Sequence, residues 1–379
     1  MIKTILFDVD GVMLSEERYF DASALTVWEL LFSPQYAGLQ GEPFHPAPAE
    51  AVIRRVREQV FVQDEVLNFI KSRGINSNWD MVFLAVSYQL VRLIEALVPH
   101  VPEAASLLAD ELGRQELARL RQWANDYTPD FAVDYAAFLP DFAKSSAQKA
   151  DLLLYVNQLA KERCGVETDK FSANCALWQL VQETFQEWYL GDERVAASIG
   201  RETMQPGKKG FLTDEIPIVP PTEMAELFRV LNERGYTLGI GTGRPTIETH
   251  VPLRAMNLLE WFDPNRVVTA SHVLEAEEAH PDYVPLSKPH PFSYVKGLLG
   301  LETPNSDVLR HPLPIENGEE VLVVGDSLAD LLAARSMGCQ FAATLTGLSG
   351  QKARSKFAEE KVDYILDDIR GLLTVLNAK

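Results

Sequence analysis

The chain has 379 residues, 46% of them apolar, which is enough for sizeable cores and more than a single core usually supports, so two domains are expected. Lys and Arg number 35 against 54 Asp and Glu, and the formal net charge of −19 repels a polynucleotide backbone from most of the surface. Nucleic acid is therefore set aside as a partner. A small phosphorylated ligand is not, because a local pocket holding a metal ion can be positive within an acidic protein.

Cys164, Cys175 and Cys339 lack the spacing of a metal site or a Cys-x-x-Cys pair and are expected to be buried packing thiols in a reducing cytoplasm. The N-terminus has no basic stretch followed by an apolar core and a small-residue cleavage site, so no signal peptide is expected. The longest apolar windows, such as Val82 to Leu97, are interrupted by Ser87, Gln89, Arg92 and Glu95 and do not read as membrane spans. The expected location is the cytoplasm, with no membrane partner. Oligomeric state leaves no signal in the sequence.

In chain order, Ile5, Leu6 and Phe7 form an apolar run suited to a buried strand, although so short a run does not exclude helix. Asp8-Val9-Asp10-Gly11 follows. Strand side chains alternate faces, so Asp8 and Asp10 can project the same way from the strand end, and Gly11 lets the backbone leave sharply. Two carboxylates so close repel each other, and a divalent metal relieves that. Alone, the same residues also describe an ordinary turn.

Strand character then disappears for roughly two hundred residues, far longer than any loop, and this stretch must be a domain. Pro34, Pro43, Pro46 and Pro48 mark a non-helical entry, and Glu50 to Arg73 suits helix, with Val60, Phe61 and Val62 blurring its period. Trp79, Val82, Phe83, Val86, Leu90, Leu93, Ile94 and Leu97 recur on one helical face, with Ser77 or Asn78 as cap and Pro99 beyond the end. Further helices are expected around Leu107–Leu112, Leu117–Trp123, Leu152–Leu159 and Leu177–Trp188. Aromatic residues at this spacing are read as core. In Gly207-Lys208-Lys209-Gly210 the lysines are read as solvated loop charges, contact with a substrate phosphate being the alternative.

From Thr222 the pattern alternates. Glu223 to Arg234, Leu328 to Met337 and Gln351 to Glu359 suit helices, whereas Thr237–Ile240, Val267–Val268, Val321–Val324, Phe341–Leu345 and Tyr364–Leu366 suit short strands. The expected fold class is α/β: a Rossmann-like parallel sheet flanked by helices, with Ile5–Phe7 joining it from the far end of the chain, and an inserted all-helical domain. Ligands in such sheets bind outside the carboxyl ends of the strands. Three segments place polar groups there. Gly241-Thr242-Gly243-Arg244-Pro245 offers a hydroxyl and approachable backbone N–H groups for phosphate oxygens, or is a glycine turn. Lys288, in Ser287-Lys288-Pro289-His290-Pro291, could neutralise a carboxylate and a phosphate oxygen, or be a solvated charge. Gly325-Asp326-Ser327-Leu328-Ala329-Asp330 sets two carboxylates one helical turn apart; the bland alternative makes Asp326 a helix N-cap with Asp330 near the positive end of the dipole.

Jointly, Asp8-x-Asp10-Gly11, Thr242-Gly243-Arg244, Lys288-Pro289 and Gly325-Asp326-x-x-x-Asp330 resemble the four motifs of the haloacid dehalogenase-like (HAD) hydrolase superfamily. The resemblance covers residues 1–14 and 217–379 as the core domain, and residues 15–216 occupy the place of that superfamily's helical C1 cap, at the large end for such caps. It implies a magnesium-dependent phosphatase that hydrolyses a small phosphorylated metabolite through an aspartyl-phosphate. Asp8 would be the nucleophile and Asp10 the acid and base. Thr242, Gly243 and Lys288 would bind the phosphoryl group; Mg2+ would be held by Asp8, the Asp10 carbonyl and Asp326, with Asp330 bound through water or orienting the others. The helical domain would close over the site.

Asp10 favours phosphate chemistry over dehalogenation. A phosphomutase with the same core chemistry stays open, as does a catalytically silent HAD-fold binding or scaffold protein. A phosphonate hydrolase would need a cap lysine, and nothing marks out Lys208 or Lys209. The substrate is not legible: Arg54, Arg55, Arg57, Arg92 and Arg201 could each be a solvated face, and Glu302 to Gly318 reads as a surface loop without derivable function.

Overall fold

The structure, a computed structural model, describes residues 2–41, 43–75 and 77–377. The chain divides into two compact units, residues 1–17 with 212–379, and residues 18–211.

The first unit is built on six parallel strands: β1 (Thr4–Phe7), β2 (Thr237–Gly241), β3 (Val267–Val268), β4 (Val321–Gly325), β5 (Gln340–Thr344) and β6 (Tyr364–Leu366). Their order is β3-β2-β1-β4-β5-β6, so the first strand of the chain lies between β2 and β4 at the centre of the sheet. Phe7 is in register with Ile240 on one side and Val324 on the other, which brings the ends of β1, β2 and β4 level. A parallel sheet is apolar on both faces, and the alternation is visible here. Ile5, Phe7, Leu238, Ile240, Leu322 and Val324 pack into one core, and Leu6, Val321, Val323, Phe341 and Ala343 into a second on the other face. The expected strands are all present, and the α/β reading holds.

Antiparallel pairing joins the outgoing and returning chain segments of this unit. Ser15 N–H donates to the Ile216 carbonyl at 2.8 Å, and Ile218 N–H to the Met13 carbonyl at 2.9 Å.

The second unit is helical. Its helices are α1 (Glu17–Phe32), α2 (Glu50–Val60), α3 (Glu65–Ser72), α4 (Asn78–Leu97), α5 (Arg114–Tyr127), α6 (Phe138–Phe142), α7 (Ala150–Cys164), α8 (Ala176–Leu190) and α9 (Asp192–Ile199). The expected α4 is the central element: Val82, Phe83, Val86, Leu90, Leu93, Ile94 and Leu97 are wholly buried, and the Ser77 hydroxyl caps it by accepting from Asp80 N–H at 3.3 Å.

Several expectations are corrected. Glu50 to Arg73 is two helices, because Val62, Gln63 and Asp64 all adopt left-handed φ values, of 50°, 53° and 67°, and end the first helix without glycine or proline. Around Leu107 the chain forms a 3₁₀ segment, Pro102–Ala109, instead of an α-helix. Helix α1 carries no apolar stripe because it is buried on all sides from Arg18 to Phe32. Lys208 is not solvated: its side chain is 0% exposed, and its ammonium bridges Glu29 of α1 and Glu187 of α8. Of the three thiols only Cys175 is buried, and its sulfur accepts from Trp178 N–H at the start of α8.

The first unit's helices are α10 (Pro221–Glu233), α11 (Thr246–Ala255), α12 (Ala270–Ala279), α13 (Phe292–Leu299), α14 (Asn305–Leu309), α15 (Leu328–Met337), α16 (Ala353–Glu359) and α17 (Leu372–Asn377). Helix α14 lies within the stretch expected to be loop. Among the described residues no helix is long and apolar enough to cross a membrane.

Candidate active site

Asp8 leaves the end of β1 while its backbone is still paired, its N–H donating to the Val324 carbonyl at 2.9 Å. The residue is 8% exposed, and its Oδ1 accepts the Val9 N–H at 2.7 Å. Gly11 then turns the chain at φ +66°, where a side chain would be strained, and a Cβ there would lie 2.4 Å from Asp326 Oδ2. The Gly11 carbonyl is held by the hydroxyls of Thr344, at the end of β5, and Thr346 just beyond it. Backbone and side chains thus fix the turn that carries Asp8 and Asp10 before any ligand is considered.

Lys288 supplies the cation. Its Nζ lies 2.9 Å from Asp8 Oδ2 and 2.7 Å from Asp330 Oδ1, and 4.8 Å from the centre of the Tyr294 ring. Asp330, fully buried, is held on both oxygens: Oδ1 also accepts the Tyr294 hydroxyl at 2.7 Å, and Oδ2 the Ser327 hydroxyl at 2.6 Å. Ser327, not Asp326, is the N-cap of α15, and its Oγ accepts from Asp330 N–H, so Asp326 is free of the capping role that the sequence allowed. Carboxylate oxygens of Asp8, Asp326 and Asp330 come within 4.8 Å of one another.

The electrostatics follow from burial. Asp8 is pushed up to about 7, by desolvation first and then by Asp330 and Asp10, with Lys288 opposing. Asp326 is raised well above the carboxylate range by burial and by Asp330, Asp8, Glu16 and Asp10. Burial also works against Asp330, but Lys288, Ser327 and Tyr294 outweigh it and hold that carboxyl below its ordinary value. Lys288 is raised, since Asp330 and Asp8 overcome its desolvation.

Thr242 lies just past β2, its N–H bonded to the Val268 carbonyl at 3.0 Å; it is 1% exposed, and Gly243 beside it is open to solvent. Arg244 points away from solvent and bonds Asp10 Oδ1 through Nε at 2.8 Å.

Residues 2–338 match the haloacid dehalogenase-like hydrolase family. The chain belongs to this family. Among similar proteins, the phosphoglycolate phosphatase of Pasteurella multocida is 31% identical over 149 residues, 38% of this chain and 52% of the relative. The pyrophosphatase PpaX of Bacillus cereus is 30% identical over 152 residues, 40% of this chain and 57% of the relative. The chain thus spans about half the length of the curated relatives it matches. An X-ray structure from the Northeast Structural Genomics Consortium is 36% identical, with a TM-score of 0.90 over 99% of this chain and 98% of that one.

In this haloacid dehalogenase-like chain the structure brings together Asp8, Lys288, Asp326 and Asp330, which span more than three hundred positions of sequence, and sets Asp10 against Arg244. Thr242 and Gly243 stand at the end of the neighbouring strand. The donor set fits a hard divalent cation: carboxylate oxygens converge, and among the described residues Lys288 neutralises Asp8 and Asp330 while no basic partner is seen at Asp326. Tyr294 and Ser327 were not anticipated. Only Ser327 had a local signal, a Ser three residues ahead of an acidic side chain at a helix start.

Proposed function

We propose that this chain is a magnesium-dependent phosphatase acting on a small phosphorylated metabolite through an aspartyl-phosphate at Asp8. The observation that carries the reading is the Lys288 ammonium shared between Asp8 and Asp330 beside Asp326, at the strand ends. A nucleophilic carboxylate needs exactly such a neighbour, because an approaching phosphate dianion and an ionised Asp8 repel each other, and one cation placed beside both lowers that barrier.

In this reading Asp8 Oδ2 attacks phosphorus in line with the leaving alkoxide, forming an acyl-phosphate bond as the P–O ester bond breaks. Asp10 delivers its proton to the leaving oxygen and recovers one from the water that cleaves the intermediate, so the same carboxyl acts as acid and then base. Lys288 and the Thr242 hydroxyl, with the Gly243 N–H, orient the transferring phosphoryl oxygens. Asp8, Asp326 and the Asp10 carbonyl would hold Mg2+, which neutralises phosphoryl charge when bound. Asp330 aims Lys288, its Oδ1 taking the ammonium and the Tyr294 hydroxyl and its Oδ2 the Ser327 hydroxyl, and would meet the metal through water or orient the groups that do. The names of the relatives favour small phosphate esters and pyrophosphate as the first substrates to test.

The test is hydrolysis across a panel of phosphorylated metabolites, phosphoglycolate and pyrophosphate included, with and without magnesium. Magnesium-dependent turnover that disappears in Asp8→Asn is expected. Turnover no higher than the Asp8→Asn control on every member overturns the proposal.

A further inference from the structure

The third residue of the Thr242-Gly243-Arg244 motif has an unusual setting for a guanidinium. Arg244 is 1% exposed, and it belongs to a buried arrangement with a carboxylate on each side. Its Nε and one terminal nitrogen lie 2.8 and 2.6 Å from the same oxygen, Asp10 Oδ1. Its other terminal nitrogen lies 2.6 Å from Glu215 Oε1, a side chain that is 0% exposed, and bonds the Glu248 carbonyl at 3.4 Å. The backbone is pinned as well: Arg244 N–H donates to Thr242 Oγ1 at 3.2 Å, and its carbonyl accepts Ala270 N–H at 2.9 Å.

These contacts divide into an anchor and a grip. Glu215 sits beside Ile216, whose carbonyl accepts Ser15 N–H, so it is fixed by the paired chain crossing next to the Asp10 turn. It locates the guanidinium from behind. The guanidinium then holds one oxygen of Asp10, with Nε as the hydrogen-bond donor and one terminal nitrogen in ion-pair contact, which restrains the rotation of that carboxyl group and leaves Oδ2 clear of the guanidinium. Asp10 is the more exposed member of the pair, with a side chain 27% exposed, and would otherwise sample several rotamers.

We propose that Arg244, anchored by Glu215, is a positioning residue that orients Asp10 for proton transfer by seizing Oδ1 and presenting Oδ2. The inference rests on Asp10 being the acid and base of the proposed phosphatase. Neither Arg244 nor Glu215 needs to touch the substrate.

The chemistry supplies a readout that loss of structure does not mimic. An aryl phosphate with a good leaving group needs no acid to form the acyl-phosphate, but its hydrolysis still needs a base; an alkyl phosphate needs help in both steps. Two variants are compared with the wild type and with Asp10→Asn. Arg244→Lys keeps the charge and loses the planar guanidinium with its Nε donor; Glu215→Gln keeps the shape and weakens the anchor. With p-nitrophenyl phosphate and magnesium, both variants are expected to release a rapid burst of nitrophenol close to one per enzyme, followed by slow turnover. On an alkyl phosphate kcat falls about a hundredfold in Arg244→Lys and about tenfold in Glu215→Gln, with KM changed less than about threefold. Asp10→Asn gives the same pattern in stronger form.

Equal losses on aryl and alkyl substrates without a burst, a change confined to KM, or unchanged kinetics in both variants would overturn the positioning role. If the wild type hydrolyses none of these compounds, it is the phosphatase reading that fails. If it does but Asp10→Asn shows no burst pattern, the acid and base assignment fails instead.

Discussion

Replacing Lys288 with methionine keeps most of the length of the stem and removes the charge that lies 2.9 Å from Asp8 and 2.7 Å from Asp330. The side chains involved are 13%, 11% and 0% exposed, so solvent screens the loss poorly. Removing one partner of a buried ion pair costs about 3–5 kcal/mol when the stranded charge stays ionised. For a unit of this size that is a fall in Tm of about 10 °C. The loss should depend on pH. Asp8, pushed up to about 7, is largely protonated near pH 5 already in the wild type, so Lys288 then chiefly serves Asp330; near pH 8 it serves both. Thermal unfolding of the metal-free proteins at pH 5 and 8 should therefore show a larger gap between wild type and Lys288→Met at the higher pH, and magnesium should narrow that gap. A gap below about 2 °C at pH 8, or one that does not vary with pH, would refute the electrostatic account of the site.

Other consequences are testable with single changes. In the helical unit, Lys208→Met strands Glu29, leaves Glu187 to Arg201 alone, and should destabilise the protein by about 3–5 kcal/mol, read by denaturant titration. Glu29 is pushed up to about 7, chiefly by burial, so between its ordinary value of 4.5 and 7 the folded chain keeps a proton that the unfolded chain releases. Stability should fall as pH rises through that window, and Glu29→Gln should flatten the decline when the two are unfolded side by side. Gly347 has space for no side chain, since a Cβ would lie 1.8 Å from Asp326 Oδ2; Gly347→Ala should weaken magnesium binding by about 10- to 100-fold, as measured by calorimetry, with little change in Tm.

What could be read in the sequence was local. Val321–Val324 announces a buried strand because four β-branched or branched apolar residues end at glycine, and the same logic found each of the six strands. Asp8 and Asp326 could be singled out because strand ends in a parallel sheet are where side chains converge, and Lys288 and Asp330 through the motifs they complete. The missing features were those set by distant partners or by burial on every side. Tyr294 meets Asp330 across 36 positions, Arg244 meets Asp10 across 234, and Lys208 meets Glu29 across 179, so no short window of sequence contains any of these pairs whole. Helix α1 escaped because a helix enclosed all round shows no stripe. The break at Val62 to Asp64 escaped because a β-branched residue is a poor announcement of left-handed backbone.

The central claim is that Asp8 becomes phosphorylated during turnover, and chemical trapping tests it most directly. Turnover of p-nitrophenyl phosphate with magnesium is quenched, the protein is reduced with borohydride, which converts an aspartyl-phosphate to homoserine, and peptides are read by mass spectrometry. The account predicts homoserine at position 8, dependent on substrate and absent in unreacted protein. Active turnover with no homoserine at that position, or with homoserine at another aspartate, would contradict it.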